Sequence, residues 1–358
     1  TKKMCPLSAN GKQRLAKFSP DGTKVSFVRD NNIFIVNLAT KTETQVTRDG
    51  EWNKIINGGT DWVYEEEFAL PNGLYWSPDS KKIAFYRFDE SRVKEFQMTM
   101  YNTGLYPEPY SYKYPKAGEE NSIVSIHIYD LADKTTKPVD TGDETDQYIP
   151  RVMWTKDPGT LAFLRMNRLQ NKEELLFANA NDGRSRVIYT ETSDKYLEVY
   201  DPIVFLPDNK SFLWTSDMDG WVHEYQIGVD GKIIKQITKG EWDITNVYGY
   251  NAKTRTLFYQ SDEGNATQRE VYSIKLDGSG KKKLSARDGN NSPTFSEGFK
   301  YYINMYSNAN TPYYITVNSA DGKEIKMLKN NEKLMQTTMS YGFSKKEFFQ
   351  VKDRDGVS

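Results

Sequence analysis

The chain has 358 residues, enough for two ordinary domains or one large repetitive domain. Hydrophobic residues make up 37% of it and aromatic residues 13%, which excludes a disordered chain. The 48 basic and 49 acidic residues leave a net charge of −1, so no nucleic-acid partner is expected. Because Cys5 is the only cysteine, we expect no internal disulfide and no cysteine zinc site. No apolar run approaches the roughly 20 residues of a membrane span, so we expect no membrane-spanning helix in this sequence.

Two signals recur along the chain. One is an aromatic or apolar residue before a polar turn and a short β-rich run, and the other is a hairpin with a turn of Asp, Asn and Gly. The first occurs at Phe18, Trp76, Met153, Phe205, Tyr250 and Phe295, and the second begins near Ile33, Ile126, Leu175, His223, Val271 and Tyr313. The last five hairpins recur every 42 to 49 residues or so, the length of a four-stranded blade. Since helical periodicity is nearly absent, the sequence predicts an all-β fold, a β-propeller with about six complete four-stranded antiparallel blades.

Extra chain surrounds the second of these units. Residues 53–74 lie before its first strand and residues 90–121 lie after it. Blade strands are constrained by packing whereas connections vary freely. We therefore expect function to reside in these two insertions.

Both ends of the chain read as interrupted blades or domains. Residues 1–8 are predicted to be the last strand of an incomplete blade, and a seventh unit begins near Tyr341 without a hairpin. Residues 347–352 are predicted to form a strand, followed by a turn from Asp353 to Gly356 and a partner that begins at Val357. We expect the natural protein to continue in both directions.

The first insertion carries three consecutive glutamates between large apolar side chains, in the order Asp61-Trp62-Val63-Tyr64-Glu65-Glu66-Glu67-Phe68. Asp61 can cap a short helical turn, and the rings would anchor the segment on a core. Adjacent carboxylates repel one another, so two that ionise together need a cation. An alkylammonium offers donors that two carboxylates can accept. The motif predicts a clamp for a free amine at Glu66 and Glu67. The alternative is a solvated charged surface, which strong burial of the neighbouring rings would disfavour.

The second insertion is rich in tyrosine and proline. The tyrosines are Tyr101, Tyr106, Tyr110, Tyr112 and Tyr114. The segment from Tyr114 to Gly118 reads as rigid extended chain with a turn, suited to lining a mouth or pairing with another chain. Covering a blade edge is an equally good interpretation.

Signals of catalysis or metal binding are missing. The sequence has no Gly-x-Ser-x-Gly motif, and His127 and His223 lie in predicted strands where a structural role is expected. The run from Gly278 to Lys282 lacks the glycine spacing of a phosphate loop and fits a hairpin turn. We expect no metal and no cofactor.

Three motifs together resemble the dipeptidyl peptidase IV family of the prolyl oligopeptidase clan. They are residues 61–68, then Leu74-Tyr75-Trp76-Ser77-Pro78-Asp79, then Tyr114-Pro115-Lys116-Ala117-Gly118. The double-glutamate motif is specific, whereas the strand repeats are not. The resemblance extends over essentially the whole chain, including Asn167-Arg168-Leu169-Gln170-Asn171.

The resemblance implies an eight-bladed N-terminal propeller joined to a C-terminal α/β-hydrolase domain, with the substrate between them. Residues 1–346 would be the propeller without its first one or two blades, and residues 347–358 the exit strand and the start of the hydrolase domain. The family's Ser-His-Asp triad would lie beyond Ser358 and its substrate-contacting arginine upstream of Thr1, so this chain alone is expected to be inactive. Because the mammalian disulfides are impossible here, the likeness points to a bacterial relative.

By the same likeness, Glu66 and Glu67 bind the substrate's N-terminal ammonium, and Glu65 is a neighbour without that role. Tyr200 matches the aromatic wall for the N-terminal side chain, although Asp201 stands where a basic residue is expected. The implied function is substrate gating in a serine exopeptidase that releases Xaa-Pro or Xaa-Ala dipeptides from peptides with a free N-terminus.

Three alternatives stay open: a tripeptidyl or other aminopeptidase of the clan, a protein-binding propeller without an active partner domain, and a bland scaffold. A homodimer and an exported, periplasmic location are further expectations from the family.

Overall fold

The structure, a computed structural model, describes residues 6–102 and 104–356. Contacts divide the chain into two compact units. The first runs to Val199 and includes Val229–Gly231, and the second comprises Tyr200–Gly228 and the residues from Lys232 onward. Most of the strand predicted over residues 1–8 lies outside the described residues, and residues 6–8 are not in a strand.

The first unit contains three antiparallel sheets, a two-stranded hairpin and one short helix. Its elements are β1 (Arg14–Phe18), β2 (Lys24–Arg29), β3 (Asn32–Asn37), β4 (Glu43–Gln45), β5 (Ile55–Asn57), α1 (Trp62–Glu66), β6 (Leu74–Trp76), β7 (Lys82–Asp89), β8 (Glu95–Met100), β9 (Glu108–Lys113), β10 (Ile123–Asp130), β11 (Thr136–Pro138), β12 (Gln147–Tyr148), β13 (Val152–Trp154), β14 (Thr160–Asn167), β15 (Lys172–Asn179) and β16 (Ser185–Thr192). The sheets run β1-β2-β3-β4, then β11-β10-β7 with both β5 and β6 on β7, then β16-β15-β14 with both β12 and β13 on β14.

The second unit contains three four-stranded antiparallel sheets and one helix. Its elements are β17 (Val204–Phe205), β18 (Ser211–Ser216), β19 (His223–Gly228), β20 (Ile233–Gln236), β21 (Ile244–Asn251), β22 (Thr256–Ser261), β23 (Glu270–Lys275), β24 (Lys282–Lys283), β25 (Asn290–Phe295), β26 (Tyr301–Asn308), β27 (Thr311–Ser319), β28 (Glu324–Lys329) and α2 (Glu332–Ser340). Within each sheet the strands pair in chain order.

The six sheets coincide with the six units that the sequence predicts. Each aromatic or apolar residue that the sequence marks before a polar turn lies in the first strand of a sheet, as Phe205 does in β17. Each predicted hairpin begins in the third strand of a sheet, as at His223 in β19. The central strands are buried on both faces, so they read as continuous apolar runs. Sequential antiparallel pairing by short turns therefore follows from the local pattern.

The first strand of the second sheet is split in two. Asn57 of β5 pairs with Arg87, and Leu74 of β6 pairs with Phe85. Tyr86 joins the halves, because its carbonyl accepts from Gly58 N at 2.9 Å and its N–H donates to Gly73 O at 3.0 Å. Residues 59–72 are therefore looped out of one strand.

Two glycines allow the ends of this loop to lie close together. Gly58 has a φ of +72°, which L side chains rarely adopt. A Cβ on Gly73 would lie 2.7 Å from the carbonyl oxygen of Gly59. The close approach of the two backbone segments requires glycine there.

The second insertion lies between β7 and β10. These strands pair directly up to Asp89 and Ile123, so residues 90–122 leave and rejoin the sheet at one point. We call these residues the arm. Its body is the β8–β9 hairpin, paired from Glu95 with Lys113 to Met100 with Glu108.

The C-terminal region differs from the prediction. Residues 347–352, for which a strand is predicted, have no regular secondary structure, and none of the described residues pairs with them. A strand needs a partner for its backbone groups, which explains the difference. The turn at Asp353 is confirmed by the bond from Gly356 N to Asp353 O at 3.1 Å. Helix α2 was not predicted, and it has neither a buried residue nor a side-chain cap that would mark it.

Candidate binding site on the glutamate helix

Helix α1, which we call the glutamate helix, begins as the sequence predicts. Asp61 is its N-cap, and Oδ1 of that side chain accepts from Tyr64 N at 3.0 Å. This bond satisfies one of the free N–H groups of the first turn. Glu65 lies in the first turn, where an anion is favoured by the helix dipole.

Tyr64 anchors the helix in the core of the first unit. It is 2% exposed, and its ring packs on Phe88 and Phe68 at centroid distances of 4.8 and 5.2 Å. Its hydroxyl accepts from Ile149 N at 2.7 Å, while the Tyr86 hydroxyl donates to Ile149 O at 2.8 Å. Ile149 lies in the gap between β12 and β13, so the interrupted first strand of the third sheet receives the helix.

The other end of the helix is held as firmly. Glu67 N donates to Val63 O at 2.9 Å, and Ala69 follows with a φ of +49° that stops the helix. The carbonyl of Phe68 accepts from Arg151 Nη1 at 2.9 Å. Both termini are therefore tied to neighbouring sheets of the same unit.

Glu65, Glu66 and Glu67 are all exposed, while Val63, Tyr64 and Phe68 are buried. The burial of Tyr64 and Phe68 disfavours the alternative that this segment is only a solvated charged surface. Within the first unit, neither Glu66 nor Glu67 forms a salt bridge or side-chain hydrogen bond among the described residues. The helix ends at Glu66 and the cap is Glu67. Because successive helical side chains diverge by about 100°, the two carboxylates can meet one cation only if their flexible stems fold together.

Tyr196 is a neighbour that sequence reasoning missed. Burial, and then the negative charges of Glu198 and Glu67, raises the pKa of Tyr196. Its hydroxyl accepts from Gln170 Nε2 at 3.3 Å, and Leu197 N donates to Gln170 O at 2.8 Å. Gln170 belongs to the segment Asn167–Asn171 that resembles the family, and this resemblance is the sequence signal that points toward Tyr196.

Tyr200 is the first residue of the second unit and is described with that unit. It is half-buried and lies in a segment without regular secondary structure, just before the Asp201–Pro202 peptide bond. Its predicted role stays a prediction.

Two further carboxylates lie behind the glutamate helix. Asp61 and Glu90 are both buried, and Oδ2 of Asp61 accepts from Ser122 Oγ at 2.7 Å. Burial raises the pKa of Asp61, against the bonds from Ser122 and Tyr64 N that lower it. Burial, and then the charge of Asp61, raises the pKa of Glu90 to about 7, against the opposing charge of Lys113.

A cavity of about 400 Å³ lies at the base of the arm and is lined by residues that include Arg92, Glu119, Asp146 and Arg168. Arg168 crosses it, donating to Asp146 Oδ1 at 3.0 Å and to Glu119 O at 2.9 Å. Neither Glu66 nor Glu67 lines it. Among its charged side chains, Arg168 and Asp146 form an ion pair, and the Glu119 carboxylate pairs with Lys94 of the arm.

The described residues offer neither a metal site nor a membrane-spanning helix. No group of three or more His, Cys, Asp and Glu side chains there could hold a metal ion. No helix in residues 6–102 and 104–356 is long and apolar enough to cross a membrane. His223 Nε2 donates to Gly240 O at 3.0 Å, and its Nδ1 is hydrogen-bonded to Thr238 Oγ1 at 3.1 Å, which gives the ring a structural setting.

Comparisons with known proteins agree on one family. Residues 1–313 match the family described as the dipeptidyl peptidase IV N-terminal region. Dipeptidyl peptidase 4 of Trichophyton equinum is 28% identical over 367 residues, covering 98% of this chain and 47% of that protein. Dipeptidyl peptidase 4 of Arthroderma otae is 29% identical over 373 residues, covering 99% of this chain and 48% of that protein.

A solved structure matches as well. The crystal structure of Porphyromonas gingivalis dipeptidyl peptidase 4 has a TM-score of 0.94 and 42% identity, covering 98% of this chain and 50% of that one. The chain thus spans about half the length of the relatives it matches. Its four-stranded antiparallel sheets are blades of a β-propeller, and the predicted fold class is confirmed. With most of its length matched, the chain belongs to the family of dipeptidyl peptidase IV N-terminal regions.

Proposed function

We propose that this chain is the non-catalytic, substrate-gating propeller of a serine dipeptidyl peptidase, and that Glu66 and Glu67 bind the N-terminal ammonium of a peptide substrate. One observation carries the proposal: two adjacent exposed carboxylates, without salt bridges among the described residues of their unit, stand on a short helix whose rings are buried. The names of the relatives support the activity of the parent protein.

The chemistry follows from charge and distance. An alkylammonium has three N–H donors, and each bond to a carboxylate is about twice as strong as a neutral one. Anchoring the amine sets how many residues separate it from a catalytic serine in a companion α/β-hydrolase domain. Holding the scissile carbonyl in that position lowers the entropic part of the barrier. The clamp would thus set the released piece at a dipeptide. The preference for Xaa-Pro or Xaa-Ala, and Tyr200 as the wall for the first side chain, are proposed from the family resemblance.

The direct test uses a full-length protein that contains this chain. Glu66→Gln and Glu67→Gln should each lower kcat/KM for a Xaa-Pro substrate by about 10- to 100-fold, because each removes a bond between charged groups. Glu65→Gln is the matched control, since it removes the same charge from the same helix and should leave turnover unchanged. Wild-type turnover in both Glu66→Gln and Glu67→Gln would refute the assignment.

A tripeptidyl or other aminopeptidase of the same clan would reuse the glutamate pair with a longer spacing to the serine. Comparing the release of dipeptides and tripeptides from one peptide separates the two activities. A binding propeller whose companion lacks a catalytic serine would release neither. The proposal predicts dipeptides only.

We further propose a homodimer, an exported location and a bacterial source. The exposed apolar side chains of the arm, such as Phe96, Met98 and Met100, support self-association. The 42% identity to the Porphyromonas gingivalis protein supports a bacterial source. Light scattering on the full-length protein should give twice the mass of one chain.

A further inference from the structure

The glutamate helix and the arm are separate insertions in the sequence, yet they meet at the N-cap. Asp61 uses both carboxylate oxygens: Oδ1 caps the helix at Tyr64 N, and Oδ2 accepts from Ser122, the last residue of the arm. Asp61 is 7% exposed and Ser122 is 4% exposed. One side chain therefore connects the start of the helix to the end of the arm.

A ring contact reinforces this connection, and a second buried carboxylate lies nearby. The ring of Trp62, the first residue of the helix, packs on Tyr114 of the arm with centroids 4.1 Å apart. Glu90, the first residue of the arm, is buried within the electrostatic reach of Asp61. The arm thus contacts the helix start through Ser122 at its end and through Tyr114 in the segment after β9.

The far end of the helix is also in contact with the arm, through one intermediate. Asn121 Nδ2 donates to the Tyr148 hydroxyl at 3.0 Å, and the Tyr148 ring packs edge-on against Phe68 at 5.2 Å. Phe68 directly follows Glu67. Any shift of the arm base therefore reaches both termini of the five-residue helix.

We propose that the arm base positions the glutamate pair, with Asp61 and Ser122 as positioning residues that set the direction of Glu66 and Glu67. The inference rests on the proposed ammonium-binding function. A five-residue helix has little stability of its own, so its orientation depends on such tertiary contacts. Charge-assisted bonds to an ammonium require well-placed oxygens, so a small rotation of the helix weakens both bonds.

The readout is the preference for a free amine. In a full-length protein that contains this chain, the inhibition constants of a Xaa-Pro dipeptide and of its N-acetylated form are compared. Acetylation removes the positive charge. The ratio of the inhibition constant of the acetylated dipeptide to that of the free dipeptide therefore reports the preference of the clamp for a charged amine. Ser122→Ala should reduce this ratio roughly threefold to tenfold, the size of one hydrogen bond, and Ser122→Thr should restore it.

Ser26→Ala is the matched control, because Ser26 is also a buried serine of the first unit and accepts from Trp76 Nε1 at 2.9 Å. It should lose stability without changing the ratio. A second pair of variants covers the case in which Ser122→Ala does not fold. Tyr114→Ala should lower the ratio, whereas Tyr110→Ala should not, because Tyr110 packs on Trp52 and Tyr112 rather than on the helix.

The outcomes separate the two proposals. If Glu66→Gln and Glu67→Gln lose the preference while Ser122→Ala and Tyr114→Ala keep it, the positioning role is overturned and the proposed function stands. If Glu66→Gln and Glu67→Gln keep the wild-type ratio, the ammonium site itself is refuted. An equal loss in Ser122→Ala and Ser26→Ala would also overturn the positioning role, since general destabilisation would then explain it.

Discussion

The two insertions of the second sheet are built in opposite ways. The glutamate loop, residues 58–73, places its central ring, Tyr64, in the core at 2% exposure. The arm leaves Tyr110 44% exposed and packs several of its rings against one another, as Tyr112 packs edge-on against Tyr114 with centroids 6.0 Å apart. The shorter loop therefore obtains its rigidity from the core, whereas the longer arm leaves several of its rings accessible at the surface.

The largest difference in stability is expected when one ring is removed from each insertion. Tyr64→Ala should lower the free energy of unfolding by about 3 to 5 kcal/mol, because it leaves a cavity and unpaired groups at Ile149. Tyr110→Ala should change it by no more than about 0.5 kcal/mol. Urea unfolding measures both, and equal losses would remove the distinction between the two insertions.

The next test concerns the close approach of the backbone at Gly73 and Gly59, at the base of the glutamate loop. Gly73→Ala should lower the free energy of unfolding by about 1 to 3 kcal/mol, because its Cβ meets the Gly59 carbonyl. Gly118→Ala on the arm has open space around it and a φ of +81°, so only the backbone cost of about 1 kcal/mol is expected. A larger loss in Gly118→Ala than in Gly73→Ala would contradict the close approach.

Glu90 predicts a pH dependence at the point where the insertions meet. Its pKa is raised in the folded state from 4.5 to about 7, so its contribution to stability is fully present below pH 4.5 or so and is lost as pH rises through about 7. At pH 8 the free energy of unfolding of Glu90→Gln should therefore fall by about 1 to 2 kcal/mol less, relative to pH 5, than that of the wild type, after allowance for solvent screening.

The measurement is the free energy of unfolding of the wild type and of Glu90→Gln at pH 5 and pH 8. Part of the slope should persist in the variant, because burial also raises the pKa of Glu224 to about 8. The difference between the two proteins isolates Glu90. Parallel pH profiles would show that Glu90 keeps an ordinary pKa.

The smallest effect on stability is expected from the exposed face of the arm. Phe96→Ser should change the free energy of unfolding by no more than about 0.5 kcal/mol, since the ring is already 38% exposed. It should nevertheless weaken self-association in sedimentation experiments, if the arm serves an interface. Strong unfolding in Phe96→Ser would mean that the arm's rings support the fold rather than a partner.

Much of the fold was predictable because its signals are local. The turn after Phe18 and the hairpin at His223 each need only a few neighbouring residues to form, and both were placed correctly. Asp61 was recognised as a cap for the same reason. Helix α2 carries no such cap, and the strand predicted at residues 347–352 had the pattern of a strand without a partner to pair with.

The candidate site was predictable only in part. The adjacent charges of Glu66 and Glu67 indicated a cation, and the flanking rings indicated anchoring, which the burial of Tyr64 and Phe68 confirms. Their binding role and that of Tyr200 stay predictions. Tyr196 was missed because its proximity to Glu67 depends on how two loops pack.

By itself, the sequence determined the order of strands and turns, the blade repeat and the capped helix, because hydrophobic alternation, turn residues and capping act over a few residues. Only the tertiary structure decided that the first strand of the second sheet is split in two opposite Tyr86 of β7. It also decided that the Tyr64 hydroxyl accepts from Ile149 N and that Asp61 accepts from Ser122. These contacts join distant parts of the chain and depend on the packing of whole sheets. No local pattern can encode which distant group will satisfy a buried oxygen.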